Sequence, residues 1–119
     1  MSPARRSKHE ALLGFALGLP GAWEDHPWGD QVVKVGKKIF VFLGEGSDSG
    51  GCSVKLHESQ DAALAAPGAE PTGYGLGRAG WVSVPFKGRS PSVGVLCDWV
   101  EESYRLVAPK KLIADLDAR

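Results

Sequence analysis

The sequence has few of the residues that mark a metal site, a disulfide scaffold or a membrane span. It has two cysteines, Cys52 and Cys97, and no CxxC, which excludes a zinc ribbon or a thioredoxin-like site by spacing. No apolar run approaches the roughly 20 residues that a transmembrane helix needs. The histidines His9, His26 and His57 are not spaced as a ligand set, so no metal site is predicted.

The N-terminus has the basic start and apolar stretch of a secretion signal, but Glu10 and Gly14 interrupt the apolar residues. We interpret it as a helix of a cytoplasmic protein rather than as a signal peptide. The two cysteines allow a disulfide by count alone, but in the cytoplasm two buried thiols are favoured.

Acidic residues are missing from segments 31–44, 53–57 and 71–97, although the whole chain has 14 acidic and 14 basic residues and no net charge. These segments are predicted strands with their turns and loops. Their basic residues are Lys34, Lys37, Lys38, Lys55, Arg78, Lys87 and Arg89. A chain that is neutral overall can therefore still present one positive face.

The length and the hydrophobic pattern predict a single domain over residues 1–119. Helices are expected at 7–17, 58–66, 93–107 and after Pro109, a hairpin at 31–43, and strands at 52–56 and 81–85. Pro85 indicates a strand near an edge. Because strands and helices are segregated, we predict an α+β fold with a mostly antiparallel sheet, a β-meander plus one further strand, covered by helices on one face.

No catalytic constellation can be named, so the chain is not predicted to be an enzyme. Residues 75–80 spell GxGxxG, but a dinucleotide site needs a strand before this motif and a helix after it. Here a loop precedes the motif and a strand follows it, so its glycines are interpreted as loop residues with positive φ. Cys97 is expected to be buried and inert on the apolar stripe of its helix, whereas Cys52 could be partly exposed.

The basic residues carry the remaining functional signal. Lys37 and Lys38 are expected at a hairpin tip, Arg78 lies in the glycine-rich loop, and Lys87 and Arg89 follow the fourth strand. Basic hairpins contact the DNA backbone in winged and β-ribbon proteins. The structural alternative is edge protection, because lysine on an exposed strand prevents aggregation.

Five short motifs, in order and spacing, resemble those of the MmcQ/YjbR family. They are His26-Pro27-Trp28-Gly29, Lys37-Lys38-Ile39-Phe40, Ser53-Val54-Lys55-Leu56, residues 74–82 with the sequence YGLGRAGWV, and residues 102–107 with the sequence ESYRLV. The resemblance implies a compact α+β domain of the CyaY-like type, a double wing, DNA binding, no cofactor and no catalytic site. One segment departs from the family pattern His-x-Asn-Lys-x-His-Trp: Arg78 and Trp81 keep the basic residue and the tryptophan, but Gly75, Gly77 and Gly80 replace the other polar residues.

Three functions follow as expectations. The first is a DNA-binding domain that contacts the backbone through Lys37, Lys38, Lys55, Arg78, Lys87 and Arg89. The second is a protein-interaction module that uses an aromatic patch of Trp23, Trp28 and the loop beside Trp81. The third is a small-molecule or anion binder with the loop at 73–80 as its cradle.

Overall fold

A computed structural model describes residues 7–44, 50–73, 75–86 and 89–119, with the side chain of Trp28 left undescribed. The helices are α1 (Lys8–Leu17), α2 (Gln60–Leu64), α3 (Val93–Val107) and α4 (Lys110–Asp117). The strands are β1 (Ala22–Asp25), β2 (Gln31–Val35), β3 (Lys38–Gly44), β4 (Gly51–Lys55), β5 (Glu70–Pro71) and β6 (Trp81–Pro85). Short 3-10 helices span Pro27–Gly29 and Leu76–Ala79.

The six strands form one antiparallel sheet in the order β1-β2-β3-β4-β6-β5. Side chains alternate between the faces of a strand. Val41 is aligned with Val33 and Val54, and these three valines are fully buried on the helix side. Phe42 is aligned with Ser53, which is aligned with Ser83, and these residues occupy the opposite face, called here the open face.

A β-bulge in β3 increases the number of its side chains that pack in the hydrophobic core. The register shifts between Val33 and Lys34, so that β3 has one residue more than β2 at this point. Phe40 and Val41 are therefore both part of the hydrophobic core, and the Phe40 ring meets Tyr104 of α3 edge to face at 5.3 Å. Buried residues of α1, α2 and α3 belong to this core, and half-buried residues of α4 pack against it.

Three consecutive residues of α3 hold the helix to the rest of the molecule. The Glu102 carboxylate accepts hydrogen bonds from the backbone N–H groups of His57 and Ser59. The Tyr104 hydroxyl donates to the Pro20 carbonyl at 2.6 Å. Ser103, which lies between them, is buried and bonds both β3 and β4. Structural contacts therefore account for Glu102, Ser103 and Tyr104 in the family motif at residues 102–107.

The predicted α+β fold is confirmed: an antiparallel sheet is packed with helices on one face. The sequence prediction missed two strands, β1 and the two-residue β5. β6 lies second from the edge, and Pro85 extends beyond the part of β6 that β5 covers. In the described part of the chain, no helix is long and apolar enough to cross a bilayer.

Candidate nucleic-acid interface

The turn between β2 and β3 places two lysines at one end of the sheet. Gly36 has φ +62°, a left-handed conformation that glycine adopts without steric cost and that closes the turn tightly. Lys37 and Lys38 follow it and are exposed. The Trp23 indole N–H donates to the Gly36 carbonyl at 2.9 Å, which fixes the turn against β1.

Lys55 and Arg78 lie at the same end. Because adjacent strands are antiparallel, the start of β3, the end of β4 and the start of β6 meet there, and Lys55 is aligned with Trp81. Arg78 is exposed in the 3-10 helix that immediately precedes β6. We call this end, with Lys37, Lys38, Lys55 and Arg78, the basic end.

The glycine-rich loop is shaped by two kinds of constraint. Gly75 and Gly80 have φ values of +78° and +100°. Gly77 has ordinary φ, but a Cβ there would lie 2.8 Å from the Pro71 side chain. The motif therefore serves backbone conformation and close packing, and a strand rather than an α-helix follows it.

Arg89 lies at the opposite end of the sheet. The Phe86 N–H donates to the Gly50 carbonyl at 2.9 Å, and the Ser90 hydroxyl donates to the Phe86 carbonyl, so this turn is beside the start of β4. Lys87 is outside the described residues. The five strand residues of β4 separate the two ends by about 15 Å. The structure therefore does not bring Arg89 together with Lys37, Lys38, Lys55 and Arg78.

In the described part of the chain, the basic end forms no ion pair through Lys37, Lys38, Lys55 or Arg78. Lys34 differs from them, because its ammonium lies 2.7 Å from the Asp25 carboxylate and 5.2 Å from the centre of the Trp23 ring. Lys34 therefore adds little to the free positive charge.

The nearby Glu102 is held on the helix side of the sheet. Burial opposes ionisation of its carboxyl, but hydrogen bonds from the Ser59 hydroxyl and from the His57 and Ser59 backbone outweigh this and lower its pKa from the ordinary value. Glu102 therefore carries a negative charge that the protein itself hydrogen-bonds.

The remaining candidate residues are distributed as follows. Trp81 is buried against Phe42, with the ring centres 5.2 Å apart. The side chain of Trp28 is not described, so Trp23, which is 44% exposed, is the one tryptophan of the expected aromatic patch that the described residues show to be exposed. Cys52 is buried, which agrees with the expectation of buried thiols, whereas the expectation that Cys97 is buried was wrong, because Cys97 is half-buried. Burial raises the pKa of the Cys52 thiol to about 12. Within the described ranges, no cluster of three metal-ligating side chains occurs.

The open face carries a row of hydroxyl groups that was not predicted from the sequence. Ser53 and Ser83 lie side by side, with their oxygens 2.8 Å apart, and Thr72 lies 2.9 Å from Ser83. The signal that could have found them is the period-two alternation in Cys-Ser-Val-Lys and Trp-Val-Ser-Val, which places both serines opposite the buried valines.

The comparison with known proteins agrees with the motifs. No curated protein matches this chain. The family model described as YjbR matches residues 17–106, which is most of the chain and extends from the end of α1 to α3. The chain therefore belongs to the YjbR family.

Proposed function

We propose that this protein is a non-enzymatic DNA-binding domain that contacts the phosphate backbone with its basic end. The observation that carries the proposal is the placement of Lys37, Lys38, Lys55 and Arg78 at one end of the sheet, without ion-pair partners among the described residues.

The dimensions of the basic end fit a nucleic-acid backbone. It extends across β3, β4 and β6, and two steps between neighbouring strands cover about 10 Å. Duplex DNA carries one negative charge per about 1.7 Å of its axis, so this width faces several phosphates. In this proposal the β2–β3 turn is one wing, and the loop with Arg78 is the second.

We expect this binding to depend little on the DNA sequence. Lysine and arginine contacts to phosphates position a protein on DNA but carry no sequence information directly. Lys87 and Arg89 belonged to the expected contact set, but Arg89 lies at the other end, so we assign the contacts to the four residues of the basic end.

The expected cytoplasmic setting would keep Cys52 and Cys97 as thiols.

Fluorescence anisotropy with a labelled duplex of arbitrary sequence tests the proposal. Four phosphate contacts predict that log K falls with log salt with a slope of about −3.6 between roughly 50 and 200 mM salt. Lys37→Glu combined with Lys38→Glu should weaken binding and reduce the magnitude of the slope by about 1.8.

Arg89→Glu is the control, because Arg89 is exposed like Lys38 but lies at the opposite end. Its effect on affinity should be smaller than that of Lys38→Glu. Absence of duplex binding at about 50 mM salt would reject the proposal, and so would an equal effect of the two single substitutions.

The alternative function is a protein-interaction module, which the exposed Trp23 favours. Its indole is fixed by the bond to Gly36 and by Lys34, so little side-chain entropy is lost on binding. A partner that resists nuclease treatment, and that Trp23→Ala loses while duplex binding is retained, would favour this alternative.

A further inference from the structure

The open face carries a pocket of about 440 Å³ at the end of the sheet away from the basic end. Its floor on the sheet is formed by Phe42, Ser53 and Ser83, and Thr72, Leu76 and Pro85 also line it. The size is within the range of pockets for small organic ligands. The proposed DNA contacts use none of these residues, so the pocket is a separate feature.

The pocket is open because the edge strand ends early. β5 pairs with Val82 and Ser83, and no strand of the described residues lies on the outer side of Val84 and Pro85. Because proline has no backbone N–H, Pro85 loses no sheet hydrogen bond as a donor at this position. Its ring packs beside Gly68, where an added Cβ would lie 2.8 Å from the ring.

The hydroxyl row gives the pocket unused hydrogen-bonding capacity. The three hydroxyls of Ser53, Ser83 and Thr72 have three O–H donors, and their two mutual contacts use two of them. Among the described residues these hydroxyls have no other partner, so one donor and several acceptor lone pairs remain for a ligand or for water. A ligand that donates hydrogen bonds to these lone pairs matches this row, next to the apolar surface of Phe42 and Leu76.

The charges at the pocket select against anions. Asp30 and Glu70 are its charged lining residues in the described part of the chain, and both are exposed acids. No lysine or arginine lines the pocket there. Charge complementarity therefore favours a cation over a neutral molecule, and a neutral molecule over an anion.

We propose that this pocket binds a small organic cation or neutral amide with a flat apolar body, which places its polar group on the row of Ser53, Thr72 and Ser83. This inference goes beyond the proposed DNA binding and does not depend on it. A phosphate-bearing ligand is the wrong class for this pocket, because the acids at its rim would repel it.

Titrations followed by amide NMR shifts test the inference with three matched probes: benzamidine, benzamide and benzoate. Benzamidine and benzamide should saturate shifts at Gly51, Ser53 and Ser83, with a dissociation constant on the order of 1 mM for probes this small. Benzamidine should bind more tightly than benzamide, and benzoate should bind weakest.

Two substitutions separate the contributions of hydroxyl and charge. Ser83→Ala should weaken benzamide and benzamidine by roughly 3- to 10-fold, because it interrupts the row. Glu70→Gln should weaken benzamidine by about 2- to 5-fold and leave benzamide unchanged, because only the cation interacts with this exposed carboxylate. A dispersed amide spectrum verifies that each variant is folded.

The combination Lys37→Glu and Lys38→Glu should bind benzamidine like the unaltered protein, so failure of this inference is distinguishable from failure of DNA binding. Equal affinity for benzoate and benzamidine would overturn the inference. Unsaturated shifts scattered over the molecule up to about 10 mM probe would do the same.

Discussion

The hydroxyl of Ser103 donates to the Phe40 carbonyl at 2.5 Å and so connects α3 to β3. The same oxygen accepts the Lys55 N–H at 2.9 Å. Continuation of the β3–β4 register beyond Val41 and Val54 would pair Phe40 with Lys55. Ser103 therefore takes the place of a sheet hydrogen bond where the two strands separate, next to the basic end.

Replacement of this serine should destabilise the fold. Ser103→Ala leaves the Phe40 carbonyl and the Lys55 N–H without their shared partner in a fully buried position. We expect a loss of about 1–3 kcal/mol in the free energy of unfolding. Urea unfolding followed by circular dichroism measures it. Leu106→Ala, at a 43% exposed position of the same helix, is the control and should change stability by less than about 0.5 kcal/mol.

Glu102 should make stability depend on acid pH. Its pKa is lowered in the folded protein from an ordinary value of 4.5, because hydrogen bonds from Ser59 and His57 outweigh burial. Its contribution is therefore fully present above pH 4.5 and is lost as the pH falls through the folded pKa.

Glu102→Gln should cost about 1 kcal/mol near pH 7, since the amide accepts fewer of these bonds, and the cost should shrink near pH 3. Denaturant unfolding at both pH values measures this. Glu101→Gln, one residue earlier, is the matched control, because the Glu101 carboxylate pairs with the exposed Arg105 instead of a buried backbone segment. An equal, pH-independent cost for the two variants would show that the hydrogen bonds of Glu102 carry no charge-dependent stability.

The elements that the sequence predicted are those with strong local patterns. The hairpin from β2 to β3 has a glycine turn between apolar runs, and α3 repeats apolar residues at helical spacing. β1 has no such pattern in Ala-Trp-Glu-Asp, and it is a strand because β2 pairs with all four residues. This pairing is a non-local interaction, which local propensity does not encode.

The candidate site was predictable as a set of charges but not as an arrangement. The position of Lys37 and Lys38 at a hairpin tip could be predicted from the glycine turn alone. Whether Arg89 lies with them depends on which end of the sheet the last residue of β6 reaches, and this requires the position and direction of β6 beside β4. The connection from β4 through α2 and β5 decides that position, and no periodicity in the sequence specifies it.

The two cysteines should differ in reactivity with a thiol reagent. Cys52 is buried and its pKa is raised to about 12, whereas Cys97 is half-buried and its pKa is raised mainly by burial and also by Asp98. At about pH 8 the native protein should react slowly at Cys97 and more slowly at Cys52, and both should react in concentrated guanidinium chloride. Mass spectrometry of the labelled peptides assigns the sites. Faster labelling of Cys52 would contradict its burial.

The Cys52 thiol should also make the fold sensitive to alkaline pH. Because its folded pKa is raised from 9.0, its contribution is present below pH 9.0 and declines as the pH rises toward about 12. The stability advantage of the unaltered protein over Cys52→Ala should fall by roughly 1 kcal/mol between about pH 8 and pH 10. Tyr104 is present in both proteins, so its own titration cancels. An advantage that stays constant over this range would contradict the prediction.

Two glycines of the same loop should respond differently to alanine. Both have positive φ, but no described atom would lie within 4 Å of an added Cβ at Gly75, whereas at Gly80 the Cβ would lie 2.5 Å from the Leu56 carbonyl oxygen. Gly75→Ala should therefore cost only the conformational penalty of about 1 kcal/mol. Gly80→Ala adds a clash with backbone that cannot rotate away, and it should cost about 3 kcal/mol or more. It should also shift the loop that carries Arg78, because the Gly80 carbonyl accepts the Leu56 N–H that joins this loop to the end of β4. Denaturant unfolding of both variants measures the difference, and similar costs at the two positions would show that close packing against Leu56 does not constrain the loop.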